Sequence, residues 1–290
     1  MDMEKCRLLL TIADCGSFTT AASLLGYTPS GVSRAVESVE AQAGFPLFLR
    51  GRKGAVLTRE GEALLPILRQ MDHWGARYEE AVQALRGLEL GEICVGTAYI
   101  SYYPWLAELV AAFHRQYPGI KVQIAEGTST ELSRRLEQRQ LDFGLISRRE
   151  GNYRWFPLRE DQLLAVLPRS HPLAGRRSLR HTELLAEPFV EILPGSETDN
   201  SRFFQRIGRL PVVGFSSTDS LAAFSMVRAG LGLTLINSRG VGALPEELCC
   251  LPLDPPEKLE VGIILPPEDS ISPAARRFFV FAGDRLGDLP

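Results

Sequence analysis

The sequence predicts a mixed α/β chain in three sections: a small helical head with a β-hairpin, one long helix, and a two-lobed α/β body. Three observations predict it. Two short helical patterns in residues 17–34 have almost no chain between them, and an apolar stripe at spacings of three and four fills residues 58–86. Beyond Glu92, strand-like and helix-like segments alternate to the end. A chain of 290 residues exceeds one typical domain, which agrees with several units.

In the stretch SFTTAASLLGYTPSGVSR, Ser17 suits the N-cap of a helix over 18–25, and Gly26 suits its left-handed end. Pro29 has a fixed φ and no N–H, so it fits the first position of a second helix, with Thr28 as the cap before it. Two helices joined by so tight a turn cross steeply, which is helix-turn-helix geometry. Ala22 is small where the helices meet, and Val32, Ala35 and Val36 give the second helix an inward face. Ser30, Ser33 and Arg34 are left on the other side, so with Thr28 and Pro29 they are the candidate groove-facing residues. The competing reading is an ordinary αα-hairpin in a bundle.

Residues 47–49 and 55–57 read as short strands around Gly51-Arg52-Lys53-Gly54. Arg50, Arg52, Lys53 and Arg59 cluster here, and a basic hairpin beside a helix-turn-helix is a wing with charges placed for phosphates. A solvated turn is the alternative. The long helix then carries Leu64, Leu68, Met71, Tyr78, Val82 and Leu85 as an a/d seam, with Pro66 early enough to bend the helix without ending it. Such a helix spans roughly 40 Å. Its seam is expected to bury against a second copy of the chain, placing two heads on two DNA half-sites. Packing on the chain's own C-terminal domain is the alternative.

In the body, strands are expected at 93–98, 120–126 and 141–147, with helices at 101–117 and 130–138 between them. That order implies a mainly parallel sheet with right-handed crossovers. A second series of strands follows at 163–167, 188–193, 212–216 and 233–236, then a strand at 261–265 and a helix at 273–282. Two lobes joined by crossing strands fit this length better than one large sheet. Ligands of open α/β sheets bind beyond the carboxyl ends of the strands. Those ends present Thr97, Ser101, Thr128, Ser129, Ser196 and Thr218, hydroxyl residues near helix starts where free N–H groups favour a carboxylate or phosphate. A small, carboxylate-bearing organic effector is therefore expected, although helix capping explains any one of these residues alone. Tyr99, Tyr102 and Tyr103 form either an aromatic wall or a piece of the core.

Composition excludes several classes. The net charge of −3 gives no global nucleic-acid signal, so any DNA-binding surface must be local. Cys6, Cys15, Cys94, Cys249 and Cys250 form no CxxC, which argues against a zinc site and a disulfide framework. His73, His114, His171 and His181 are dispersed, and neither a G-x-S-x-G elbow nor a Walker A lysine loop occurs. Ala229-Gly230-Leu231-Gly232 ends a helix before a strand, the wrong order for a dinucleotide loop, and reads as a C-cap. The N-terminal residues lack a signal-peptide pattern, and no run approaches about 18 apolar residues. The expectation is a cytoplasmic protein with no catalytic residues, metal, cofactor or membrane span.

The chain resembles the LysR-type transcriptional regulators along its whole length. The likeness is strongest in GSFTTAASLLGYTPSGVSRAVESVEAQAGFPLFLR and LTREGEALLP, and continues in YPGIKVQI, LDFGLIS, LLAVLPRSHPLA, MVRAGLGLTLI and SPAARRF. Each piece is short, but their order and spacing together are specific. One departure matters: the family commonly has glutamine where Pro29 stands, so operator preference does not carry over. The resemblance implies a winged helix-turn-helix DNA-binding domain (1–58), a linker dimerisation helix (59–88) and an effector-binding domain (92–290). Within the last, two Rossmann-like, periplasmic-binding-protein-like subdomains (about 92–162 with 266–290, and about 163–265) would hold a ligand cleft. It further implies a homodimer or homotetramer on double-stranded promoter or operator DNA. The rival is a cytosolic solute-binding receptor or small α/β enzyme with an accessory helical domain, and the missing acid/base cluster argues against the enzyme.

Overall fold

The computed structural model describes residues 1–51, 54–85, 90–283 and 285. Two units form, one built on Met1–Gly91 and the other on Glu92–Glu137, Leu141–Ile271 and the segment from Ala275 onward.

The first unit opens with a helix to which sequence patterning assigns no element, α1 (Met3–Cys15). Asp2 caps it by accepting from the Lys5 N–H, and Gly16 at φ 64° closes it. Helix α2 (Phe18–Leu25) starts on Ser17, which accepts from the Thr20 N–H, and ends at Gly26 with φ 72°. Helix α3 (Pro29–Ala43) has Thr28 as its cap, accepting from the Gly31 N–H at 3.1 Å. Apolar residues at i, i+4 and i+7 bury Val32, Val36 and Val39 of α3 in one core with Ala21, Ala22 and the inner face of α1. Strands β1 (Phe48–Gly51) and β2 (Gly54–Leu57) pair antiparallel, from Phe48 opposite Leu57 to Gly51 opposite Gly54. The Glu40 carboxylate accepts from the Leu47 and Phe48 N–H groups and so ties this hairpin to α3.

Helix α4 (Arg59–Leu85) starts after Thr58, whose hydroxyl accepts from the Gly61 N–H and donates to the Pro46 carbonyl. Here the seam expected from sequence needs correction. Leu68 is buried within the head core, and Leu64 and Met71 pack against that same core. The cause is α1, which lies along α4 and covers this face: the Cys6 thiol donates to the Leu68 carbonyl, and Arg7 pairs with Asp72 and Glu79. Among the described residues, the large apolar side chains that α4 leaves exposed are Ile67, Trp74 and Tyr78, at 53%, 55% and 72%. At 100° per residue this stripe lies roughly 70° around the helix from the buried face. Val82 is half-buried, and the side chain of Leu85 lies outside the described residues.

In the second unit, one sheet is ordered β10-β6-β11-β5-β3-β4, with β7 paired to β11. The members are β3 (Gly91–Thr97), β4 (Ile120–Glu126), β5 (Phe143–Ser147), β6 (Arg154–Pro168), β7 (Leu179–Arg180), β10 (Thr234–Asn237) and β11 (Leu248–Leu265). A parallel pair, β8 (Pro188–Ile192) and β9 (Val212–Ser217), forms a separate sheet, with an isolated bridge between Phe189 and Leu233, the residue before β10. Strands β6 and β11 are far longer than the expected 163–167 and 261–265, and they run through both lobes. Their pairing jumps from Leu164 opposite Pro252 to Leu163 opposite Glu257, marking the crossing point. Lobe I is completed by a 3-10 turn (Ile100–Tyr102), α5 (Tyr103–Gln116), α6 (Ser129–Glu137) and α10 (Pro273–Gly283). Phe278 of α10 sits between Phe113 and Phe143, with ring centroids 4.9 and 5.1 Å away. Lobe II holds α7 (His181–Leu184), α8 (Asp199–Arg206) and α9 (Ser220–Arg228). As the C-cap reading requires, Ala229 ends α9, and Gly230 follows at φ 79°. No described helix is long and apolar enough to cross a membrane.

Candidate functional site

Two regions carry chemistry, one in each unit. In the head, Pro29, Ser30 and Arg34 are exposed at the start of α3, while Ser33 is half-buried. Arg34 folds its guanidinium back toward the Ser30 carbonyl at 3.4 Å, and Thr28 and Ser30 hydroxyls lie 3.3 Å apart. The Tyr27 hydroxyl bonds to Glu4 and fixes the turn against α1. On the hairpin, Leu49 and Val56 are exposed while Phe48 and Ala55 are buried. Gly54 is required by close approach, since a Cβ there would lie 2.3 Å from the Gly16 carbonyl oxygen and its φ is +113°. Arg52, Lys53 and the side chain of Arg50 lie outside the described residues.

In the body, a cavity of about 140 Å³ opens between the lobes. Lobe I supplies Tyr99, Thr128 and Ser129, and lobe II supplies Asp199, Phe224 and Asn237. Of the six expected effector residues, only Thr128 and Ser129 line it. Thr97 is buried and bonds its own neighbour, accepting from the Tyr99 N–H. The Ser101 hydroxyl is buried off the lining. Ser196 is half-buried and Thr218 is exposed, and the true caps of α8 and α9 are Thr198 and Asp219. Thr128 itself also serves as a cap, accepting from the Glu131 N–H while the Glu131 carboxylate accepts from the Thr128 N–H.

The sequence points to no arginine for this cleft, yet Arg149, which with Ser147 lines a second cavity of about 560 Å³, reaches Asp199 of the first cavity's wall. Its side chain is 6% exposed and bonds the Asp199 carboxylate at 2.8 Å. The same carboxylate accepts from the Tyr99 hydroxyl at 2.8 Å and the Ser147 hydroxyl at 2.5 Å. Arg149 also donates to the Ser147 and Thr130 hydroxyls, and Ser129 accepts from the Ser147 N–H. Burial, and then the Asp199 charge, holds the Tyr99 phenol well above its ordinary pKa, so it stays a donor. Tyr102 is core, and Tyr103 is half-buried. Thr198 and its N3 residue Ser201 form a capping pattern visible in the sequence. Arg149 follows a strand in an aperiodic loop and carries no such signal. Among the described residues no group of His, Cys, Asp and Glu could hold a metal ion.

A helix-turn-helix head with a hairpin, and a two-lobed body around a cavity, define a ligand-responsive DNA-binding regulator. Comparison with known proteins agrees. Residues 3–62 match the bacterial regulatory helix-turn-helix protein model of the lysR family, and residues 86–287 match the LysR substrate binding domain. The chain belongs to the LysR family of transcriptional regulators, with a DNA-binding helix-turn-helix and an effector-binding domain. It is 29% identical over 290 residues to an uncharacterized HTH-type transcriptional regulator, YvbU, of Bacillus subtilis, covering 99% of each chain. It is 26% identical over 288 residues to the RuBisCO operon transcriptional regulator of Allochromatium vinosum, covering 97% of this chain and 95% of that one. Among solved structures, a full-length OxyR variant from Pseudomonas aeruginosa has the same fold, with TM-score 0.69 and 21% identity over 99% of this chain and 94% of that one. Full-length CbnR in complex with its target DNA does too, with TM-score 0.63 and 20% identity over 99% and 100%. The family's members regulate transcription and are not enzymes.

Proposed function

We propose that α3 and the wing read and hold operator DNA, and that a small organic effector in the interlobe cavity controls the affinity or geometry of that binding. Thr28, Pro29, Ser30, Ser33 and Arg34 face the major groove, while Arg50, Arg52 and Lys53 contact phosphates. The protein works in the cytoplasm as a homo-oligomer, with Ile67, Trp74 and Tyr78 of α4 on the self-association seam. One observation carries the effector assignment: the cavity's wall is shared by both lobes, with Tyr99 and Thr128 on one side and Asn200 and Asn237 on the other. A molecule touching both lobes binds with an affinity that depends on their arrangement, which regulation requires.

The test is a thermal-shift screen of small organic acids and amino acids on the full-length protein, followed by operator binding with and without each hit. Hits should stabilise the wild type and change operator binding, and both effects should vanish in Ile192→Trp, which fills the cavity. A hit that acts equally on that variant refutes the assignment of the cavity.

A further inference from the structure

Asp199 is a wall residue of the cavity, shared with the second cavity on which Ser147 and Arg149 lie, and its carboxylate is already bound by lobe I. Tyr99, Ser147 and Arg149 all lie in lobe I and direct three donors at one point, at 2.8, 2.5 and 2.8 Å from Asp199 oxygens. Asp199 is the first residue of α8, across the cleft in lobe II. Taken alone, lobe I presents a carboxylate receptor whose guanidinium is almost wholly buried. A buried guanidinium without an anion is strongly disfavoured, so this receptor always needs one. Beside it lies the cavity itself, near the size that holds one benzene ring, with an apolar side of Leu163, Phe224, Leu235 and Ile236 and a polar side that includes Thr128, Ser129 and Asn200. Asn237 also lines it, with a buried Nδ2 that has no partner, while its Oδ1 is fixed by the Gly240 N–H.

We infer that Asp199 is a tethered stand-in for an effector carboxylate, and that a small monocarboxylate with an apolar body binds by displacing it from Tyr99, Ser147 and Arg149. This rests on the cavity being the effector site. The exchange conserves charge inside the cleft: one carboxylate enters, and Asp199 turns out to water at the rim. A free carboxylate must outcompete one held by covalent tether, so the head group alone is too weak. The ligand's body must add contacts to the apolar wall, and an acceptor on it must reach Asn237 Nδ2. Displacement severs a contact that joins the lobes, so occupancy and lobe arrangement become one equilibrium.

Chemical rescue tests this. Full-length wild type, Asp199→Ala and Asp199→Asn are titrated with sodium acetate at constant ionic strength, acetamide serving as the neutral isostere, with the thermal midpoint as readout. Asp199→Ala should be stabilised saturably by acetate, with half-saturation on the order of a millimolar. Acetamide should do nothing, wild type should not respond to acetate, and Arg149→Met in the same background should abolish the response. Asp199→Asn keeps neutral bonds to Tyr99 and Ser147, so it folds more readily and should show the same response at higher acetate. Absence of a saturable response in both variants overturns the inference, even where larger carboxylates still bind the wild-type cavity and leave the effector reading intact. If acetate fills the Asp199→Ala site but no carboxylate shifts wild type, the effector reading fails and displacement fails with it.

Discussion

Leu68→Ala should destabilise the head, whereas a charge at Tyr78 should separate the subunits and leave each folded. Leu68 is 7% exposed and belongs to the core that also contains Cys6, Leu9, Ile12 and Val36. Truncating a leucine in such a site costs about 2–5 kcal/mol, by lost transfer energy plus the cavity left behind. At about 3 kcal/mol, a unit of this size loses roughly 12–24 °C in Tm. Tyr78 is 72% exposed, so Tyr78→Glu removes little packing from its own chain. Substitutions at exposed positions usually stay within about 0.5 kcal/mol. Desolvating the new carboxylate against a partner helix would cost several times that. Calorimetry and sedimentation velocity on both variants separate the two roles. A folded, monomeric Leu68→Ala with an unchanged head transition, or a stable oligomer in Tyr78→Glu, would refute the assignment of these two faces.

Three further outcomes follow from the geometry. Arg34→Ala should weaken operator binding in fluorescence anisotropy at fixed salt by about 1–3 kcal/mol and relax preference at one base position; unchanged affinity and preference would remove α3 from the groove. Gly54→Ala should destabilise the head by at least about 1–3 kcal/mol, because its Cβ meets the Gly16 carbonyl and its φ is positive, while the body's transition stays put. Tyr103 has its pKa pushed up to about 12, first by burial and then by Glu126. Its folded pKa lies above its unfolded one, so its contribution is complete below pH 10 and is lost as the pH rises toward 12. Chemical denaturation across that window should therefore show a smaller alkaline loss in Tyr103→Phe, and identical slopes would exclude the tyrosine as the source.

What the sequence made legible was local. Ser17, Gly26, Thr28 and Pro29 each act within a few residues of themselves, and the two helices they bound appear where their chemistry requires. Helix α1 was legible and went unassigned: Cys6, Leu9, Leu10 and Ala13 recur at helical spacing, with Glu4, Arg7 and Asp14 on the exposed face. Missing it misassigned one face of α4, since periodicity shows that a stripe is apolar and never says what covers it. The lobe-I half of β6 and the lobe-II half of β11 escaped, the first for a different reason. Residues 154–160 carry a proline and five charged or aromatic side chains in a half-exposed strand, which lacks the apolar run seen at 163–167. In the cleft, local capping rules located the helix starts to within two residues. The Arg149–Asp199 pair spans fifty positions and depends on tertiary structure alone.

That pair also bears on how large a response the cleft can produce. Moving a two-state lobe equilibrium from 1:99 to 99:1 requires a ligand to prefer one state by about 5.5 kcal/mol. Hydrogen bonds to charged groups contribute about 1.5–3 kcal/mol each, so the three bonds that Asp199 accepts are of the needed order in gross terms. Removing them should shift the lobes without any ligand. Strands β6 and β11 pass through both lobes and change register at the crossing, so the movement can concentrate in the few residues around Leu163, Pro252 and Glu257. Asp199→Ala should therefore take up the lobe arrangement of the liganded wild type, and bound acetate should leave it there, because acetate fills the receptor without rejoining α8 to lobe I. A distance measured by spin labels on Glu137 and Arg209, one in each lobe, distinguishes this from a purely structural salt bridge. If that distance in Asp199→Ala matches the unliganded wild type, the pair fastens nothing that the effector needs to release.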